Sequence, residues 1–238
     1  LTSDDYAAGL RASIMPDKAT PSAMLPGENP PLEGVNTTHF SIIDGDGNMV
    51  SATQTVNLAF GSGQVVAGAG FLMNNEMDDF ALRPGTPNAF GVYGFDANAV
   101  APGRRMLSSM TPTFMVGKDK ISVLGGKGGS RIITLVLLGM LGIEQGLGSA
   151  EIVALPRFHH QYLPDVIFME PDAVSPETFR ALEAMGHKIN QSKTRGTQFL
   201  HAVDWDLNTN TLHGGADPRN DVGSAMVVPK KSAKKADK

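Results

Sequence analysis

The chain has 238 residues, of which 41% are hydrophobic and 18% charged, with a formal net charge of −4. That composition fits a folded globular protein of one large or two small domains, and it excludes a fibrous or disordered chain. Mild acidity argues against a nucleic-acid binder, and the complete lack of cysteine excludes disulfides, thiolate metal sites and cysteine nucleophiles.

In chain order, a short helical pattern over 4–14 leads into a loop punctuated by Pro16, Pro21, Pro26, Pro30 and Pro31. So many prolines forbid a regular element, and the stretch reads as an exposed connector where chains are cut. The start at Leu1, without Met or a signal-peptide pattern, is expected of a piece of a longer polypeptide. From Thr38 to Val56 the residues alternate on both sides of Gly45-Asp46-Gly47-Asn48, which predicts a β-hairpin. A Gly- and Pro-rich loop is expected over 79–93, then a second hairpin over 113–124 with Gly117-Lys118-Asp119 at its tip. Gly125–Ser130 reads as a glycine-rich turn opening an aliphatic helix from Arg131 to about Gln145. That helix is expected to be buried and is too short to cross a bilayer. Ser175-Pro176-Glu177 is a helix start, with an N-cap, Pro at the first position and an acid in the first turn, and Gly186 ends that helix. Strands are expected near 188–191, 198–204 and 211–212, and the Lys-rich 230–238 as a solvated tail. Antiparallel strands with helices between them predict a layered α+β domain.

Four clusters could carry chemistry. Asn36-Thr37-Thr38 lies where the connector meets a strand. A threonine hydroxyl becomes a nucleophile when a base sits beside it, and the α-amino group of a chain-terminal Thr, with a pKa of about 8, is such a base. The Thr37 hydroxyl could free that amine by attacking the Asn36 carbonyl; the competing reading is two β-branched residues opening a strand. Gly125-Gly126-Lys127-Gly128-Gly129 before a helix could bind an anion through backbone N–H groups, or be a plain tight turn. It lacks the order of a phosphate-binding P-loop. Asn74-Asn75-Glu76-Met77-Asp78-Asp79-Phe80 could hold an ammonium group or a cation, or be a solvated acidic turn; its spacing is not that of a calcium loop. His159-His160 is a pair of adjacent residues that point in different directions, which favours structural histidines over a metal site.

Taken in order, Thr37-Thr38-His39-Phe40-Ser41, Thr55-Val56-Asn57, Asn74–Phe80, Leu107-Ser108-Ser109-Met110, Gly126–Arg131 and Pro156–His160 resemble the γ-glutamyltranspeptidase family from Thr37 to about Arg219. The resemblance implies an N-terminal-nucleophile hydrolase fold, α+β, a four-layer αββα sandwich that a large subunit completes. It divides the chain into 1–36, the end of the large subunit; 37–229, the catalytic small subunit; and 230–238, a tail. It implies autocatalytic cleavage of Asn36–Thr37 and γ-glutamyl transfer from glutathione and related amides to water, amino acids or peptides, with no cofactor and no metal. Thr37 would be the nucleophile, Thr55 its hydrogen-bonding partner, and Gly128 and Gly129 the oxyanion hole. Asn57, Glu76, Asp79, Ser108 and Ser109 would hold the glutamyl end. Phe90, on a loop over 84–93, would close the pocket. A periplasmic or extracellular location and dependence on the large subunit are implied too, with sheet edges and apolar surface left uncovered without it. An acylase acting on another amide, an uncut non-catalytic relative and a phosphate-binding domain are the competing expectations.

Overall fold

The computed structural model describes residues 3–12, 14–22, 37–196, 198–219 and 223–229. Asn36, most of the connector and the Lys-rich tail lie outside the described residues. The chain forms two compact units that interleave along the sequence.

The unit built from the described residues of 34–75, 108–155 and 197–238 carries most of the regular structure. Strands β1 (Thr37–Ile43) and β2 (Met49–Thr55) form the expected hairpin, in register from Thr37 opposite Thr55 to Ile43 opposite Met49. Its turn is tied by Asp44, whose carboxylate accepts the N–H groups of Asp46 and Asn48, each at 2.9 Å. A four-stranded antiparallel sheet runs β3–β4–β8–β9, from β3 (Thr113–Val116), β4 (Lys120–Lys127), β8 (Phe199–Asp206) and β9 (Thr211–Ala216). The hairpin packs across it, chiefly on β4 and β8.

On the other side of that sheet lie α2 (Ile132–Glu144) and α3 (Ser149–Ala154). Leu124 of β4, Ile132, Leu135 and Val136 of α2, Ile152 and Val153 of α3, and Leu200 and Ala202 of β8 form one core. Arg219 reaches back to the end of α3 and donates to the carbonyls of Val153 and Leu155, at 3.1 and 2.7 Å. Its charge is balanced by Asp217 at 3.1 Å, with both side chains buried. This pair closes the C-terminal end of α3.

The unit built from the described residues of Leu1–Glu33 with Glu76–Leu107 and Pro156–Gly196 is mostly loop. It contains α1 (Asp4–Ala12), α4 (Pro176–Ala184) and a small sheet in the order β5–β6–β7, from β5 (Phe158–His159), β6 (Ile167–Met169) and β7 (Ile189–Gln191). Ser175 caps α4 by accepting the Thr178 N–H at 3.1 Å, as its sequence predicts.

Three expectations need correction. Gly125, Gly126 and Lys127 are not part of the turn; they extend β4, because β8 keeps pairing with them through Phe199. The turn proper is confined to Gly128 and a single 3₁₀ turn over Gly129–Arg131. Second, α2 buries one face only: Ile133, Leu137 and Leu141 form an exposed stripe at helical spacing. Third, β9 runs on to Ala216, since Gly214 and Gly215 pair with β8 and give little sequence signal of a strand. Among the described residues no helix is long and apolar enough to cross a membrane.

Candidate active site

Strand alternation places Thr37, His39 and Ser41 on one face of β1, each opposite a residue of β2 that carries a hydroxyl: Thr55, Thr53 and Ser51. The Thr37 hydroxyl donates to Thr55 Oγ1 at 3.3 Å. Thr55 Oγ1 also accepts the N–H of Asn57 at 2.8 Å. His39 spans the next rung, with Nδ1 2.7 Å from Thr53 Oγ1 and Nε2 2.9 Å from Ser41 Oγ. The Ser51 hydroxyl donates to the Leu124 carbonyl and accepts the Thr113 N–H, each at 3.1 Å, which fastens the hairpin to the larger sheet. Thr37 therefore heads a column of hydroxyls and one imidazole whose lower end is anchored on β3 and β4.

His39 is buried, and its ring lies directly over Gly125: a Cβ there would come 2.2 Å from Cε1. Burial, and then the neighbouring His201, push the His39 imidazole down to about 4, so it is neutral at ordinary pH. Just past the end of the same strand, Gly128 has φ +156°, and a Cβ on it would meet Gln198 at 2.7 Å, so only glycine fits the turn. Gly129 follows at φ +57°. Such a turn at the approach to α2 can direct N–H groups at an anion.

Asn57 is buried with φ +72°, and its Nδ2 donates to the Asn75 carbonyl at 3.1 Å. Ser108 is exposed and accepts the Met110 N–H at 3.2 Å; Ser109 is half-buried and its carbonyl accepts the Thr111 hydroxyl at 2.9 Å. Thr37, Thr55, Asn57, Ser108, Ser109, Gly128 and Gly129 thus all belong to the sheet-rich unit.

Glu76, Asp79 and Phe90 belong to the loop-rich unit. Glu76–Asp79 is one 3₁₀ turn, a half-buried site for three acids. Burial first, then the charges of Glu76 and Asp78, raise the Asp79 carboxyl to about 6. Burial also raises Glu76. Two of these acids hold the loop that carries Phe90: Asp79 accepts the Asn88 side-chain amide at 3.3 Å, and Asp78 accepts the Ala89 N–H at 3.0 Å. Asn88 Oδ1 in turn accepts the N–H groups of Phe90 and Val92, at 3.0 and 2.9 Å. Gln161 donates to the carbonyls of Phe90 and Gly91, at 3.3 and 3.2 Å, and is itself held by His159 at 2.8 Å. His160 faces Asp165 at 3.4 Å. The adjacent histidines are therefore spent on local ties.

Residues missed by sequence reasoning are His39 with Gly125, Gln161, and Glu170, whose carboxylate accepts the Arg157 and Gly196 N–H groups at 3.0 and 2.6 Å. Of these, only His39 carried a signal, lying on the same strand face as Thr37.

The model of the gamma-glutamyltranspeptidase family matches residues 1–227. The glutathione hydrolase proenzyme of Pseudomonas aeruginosa is 49% identical over 236 residues, covering 96% of this chain and 41% of that protein. The proenzyme of Escherichia coli K12 is 45% identical over 223 residues, covering 92% and 38%. The chain thus spans about two fifths of the length of these relatives. Among solved structures, the gamma-glutamyltranspeptidase of Pseudomonas nitroreducens complexed with L-DON is 44% identical with a TM-score of 0.71, covering 81% of this chain and all of that one. A cephalosporin acylase from Bacillus halodurans is 26% identical with a TM-score of 0.70, covering 96% and 39%. The architecture is a portion of the α+β fold of N-terminal-nucleophile hydrolases, and the chain belongs to the gamma-glutamyltranspeptidase family.

Proposed function

We propose that the full-length protein is a glutathione hydrolase and γ-glutamyltransferase, with Thr37 as its nucleophile. The observation that carries this reading is the hydroxyl pair at the head of β1: Thr37 bonded to Thr55, in a chain of this family. Residues 1–36 are the end of the large subunit, 37–229 the small subunit and 230–238 its tail. Cleavage of Asn36–Thr37 frees the amine that serves Thr37 as base. The Thr37 oxygen attacks the γ-amide carbon, while N–H groups of Gly128 and Gly129 stabilise the oxyanion, each by about 3 kcal/mol. The amine leaves, and water or an amino acid or peptide then takes the γ-glutamyl group from the ester.

Asn57, Glu76, Asp79, Ser108 and Ser109 hold the free amino and carboxylate groups of the glutamyl end. The acids favour a substrate ammonium group, which separates this reading from an acylase of a substrate lacking one. Phe90 screens the acyl-enzyme from water. The large subunit supplies the rest of the pocket and covers the exposed apolar faces, and the mature enzyme works in the periplasm or outside the cell. Turnover of γ-glutamyl-p-nitroanilide by the full precursor tests the assignment: wild type releases nitroaniline, and Thr37→Ala neither cleaves itself nor turns over. Sustained turnover by mature Thr37→Ala enzyme would overturn it.

A further inference from the structure

The first residues of β8 are gripped from two sides. On one side lies the glycine end of β4: a Cβ on Gly126 would come 2.1 Å from the Phe199 carbonyl oxygen, and one on Gly128 would come 2.7 Å from Gln198 Cγ. Leu200 and Phe199 pair there with Gly126 and Lys127, the last two residues of β4. On the other side β9 has already ended, since its final pair is Ala216 with His201. The next residue, Asp217, takes over with its side chain. Its Oδ2 accepts the Leu200 N–H at 3.0 Å, where a further rung would have offered a backbone carbonyl.

Asp217 is itself fixed. Its Oδ1 accepts the backbone N–H of Arg219 at 3.0 Å and the guanidinium at 3.1 Å. Both side chains are buried, and the same guanidinium is tied to the end of α3, so the carboxylate has a single seat. Gln198, Phe199 and Leu200 are buried as well, and a close-packed interior passes displacement from one side chain to the next. The carboxylate that sets Leu200 therefore also sets the surface on which Gly126 and Gly128 rest.

We propose that Asp217 is a positioning residue for the turn at Gly128 and Gly129: through Leu200 and Gln198 it fixes the direction of the N–H groups that meet the developing oxyanion. The inference rests on the reading of those glycines as the oxyanion hole for Thr37. Asp217 itself is 1% exposed and reaches no substrate. Its effect belongs to the tetrahedral stage, because preorganised donors act on the charge that appears there and hardly on the ground state.

Two double variants separate the hydrogen bond from the charge. Asp217→Leu with Arg219→Met removes both charges together, which spares the fold an unpaired buried ion, and leaves the Leu200 N–H without its acceptor. Asp217→Asn with Arg219→Gln also removes both charges but keeps an oxygen for Leu200. The probes, applied to the mature full-length enzyme, are free glutamate and a boronic acid carrying the glutamyl end. The boron takes the Thr37 oxygen into a tetrahedral adduct while the hydroxyl proton passes to the α-amine. The apolar pair should weaken the boronic acid by about 10-fold and leave glutamate inhibition unchanged, and the amide pair should restore most of that loss. Amide hydrogen exchange over 126–131 in the uncut Thr37→Ala precursor is a readout independent of maturation, and it should quicken with the apolar pair only. Wild-type affinity for the boronic acid in the apolar pair overturns the proposal, as does an equal loss for both probes, or unchanged exchange where that pair does not mature. If wild type binds the boronic acid no more tightly than glutamate, the oxyanion reading falls, and the role of Asp217 with it.

Discussion

The two units hold their polar side chains by different means. Around Thr37, position comes from strand register: Thr37–Thr55, His39–Thr53 and Ser41–Ser51 are neighbours because β1 and β2 pair as they do. Around Asp79, position comes from hydrogen bonds between a 3₁₀ turn and a loop, through Asn88 and Ala89. Register is set by many residues at once and tolerates the loss of one bond. A loop held by a few single side-chain hydrogen bonds, from Asp78, Asp79, Asn88 and Gln161, has less to spare. Thr37, the proposed nucleophile, is thus held by strand pairing, whereas Glu76, Asp79 and Phe90, expected to recognise substrate and to close over it, are held by a turn and a loop.

That contrast can be broken or sharpened experimentally. The largest effect is expected from Thr37→Ala in the full precursor, with γ-glutamyl-p-nitroanilide turnover falling by about 10³-fold or more, measured together with self-cleavage on a gel. Next is Gly125→Ala, because the added methyl occupies the place of the His39 ring. Overpacking of this kind costs about 1–3 kcal/mol, read as a lower midpoint of chemical denaturation, and it should slow turnover by displacing β1. Thr55→Ala, which leaves register intact but removes one hydroxyl, should cost roughly 10-fold in kcat. A loss as severe as that of Thr37→Ala would show that Thr55 does more than orient its neighbour.

Two smaller effects depend on pH. His39 titrates at about 4 in the folded protein instead of 6.5, so the unfolded chain binds more protons between those values. Stability should therefore fall as pH drops through that window, and His39→Gln should flatten this part of the profile of thermal midpoint against pH. Asp79 is shifted the other way, to about 6 from 3.8, so the folded state binds the extra proton. Its contribution declines as pH rises from about 4 to 6, and Asp79→Asn should remove that slope. Since a charged Asp79 is what an ammonium group needs, KM of wild type should improve as pH rises through 6, and the variant should lose that trend.

Where residues alternate or repeat with helical spacing, the sequence was sufficient. The hairpin of β1 and β2, the cap at Ser175 and the aliphatic helix after Arg131 were all legible because local pattern determines them. The short elements α3, β5 and β6 were not, since two to six residues carry no period to detect. Gly125 reads as part of a turn because its partner, His39, is remote in sequence; only a strand running opposite shows that a missing side chain leaves room for a ring. The exposed stripe of α2 was also hidden, because an apolar residue looks the same in sequence whether its own chain covers it or not. Thr37, by contrast, has two readings in its own residues, between which the family resemblance chooses, and Thr55 comes from that resemblance alone; their 3.3 Å approach follows from a register that no single residue encodes.

The imidazole of His39 over the bare backbone of Gly125 acts as a locating pin between two plates. Sliding β1 by one position would present Thr38 or Phe40 to that depression instead, a slighter group in one case and an outward-facing ring in the other. The seat thereby measures distance along the molecule: it settles which amino acid comes to rest at the head of β1 opposite Thr55, and hence which peptide bond would have to be severed to leave a threonine there as a new chain end.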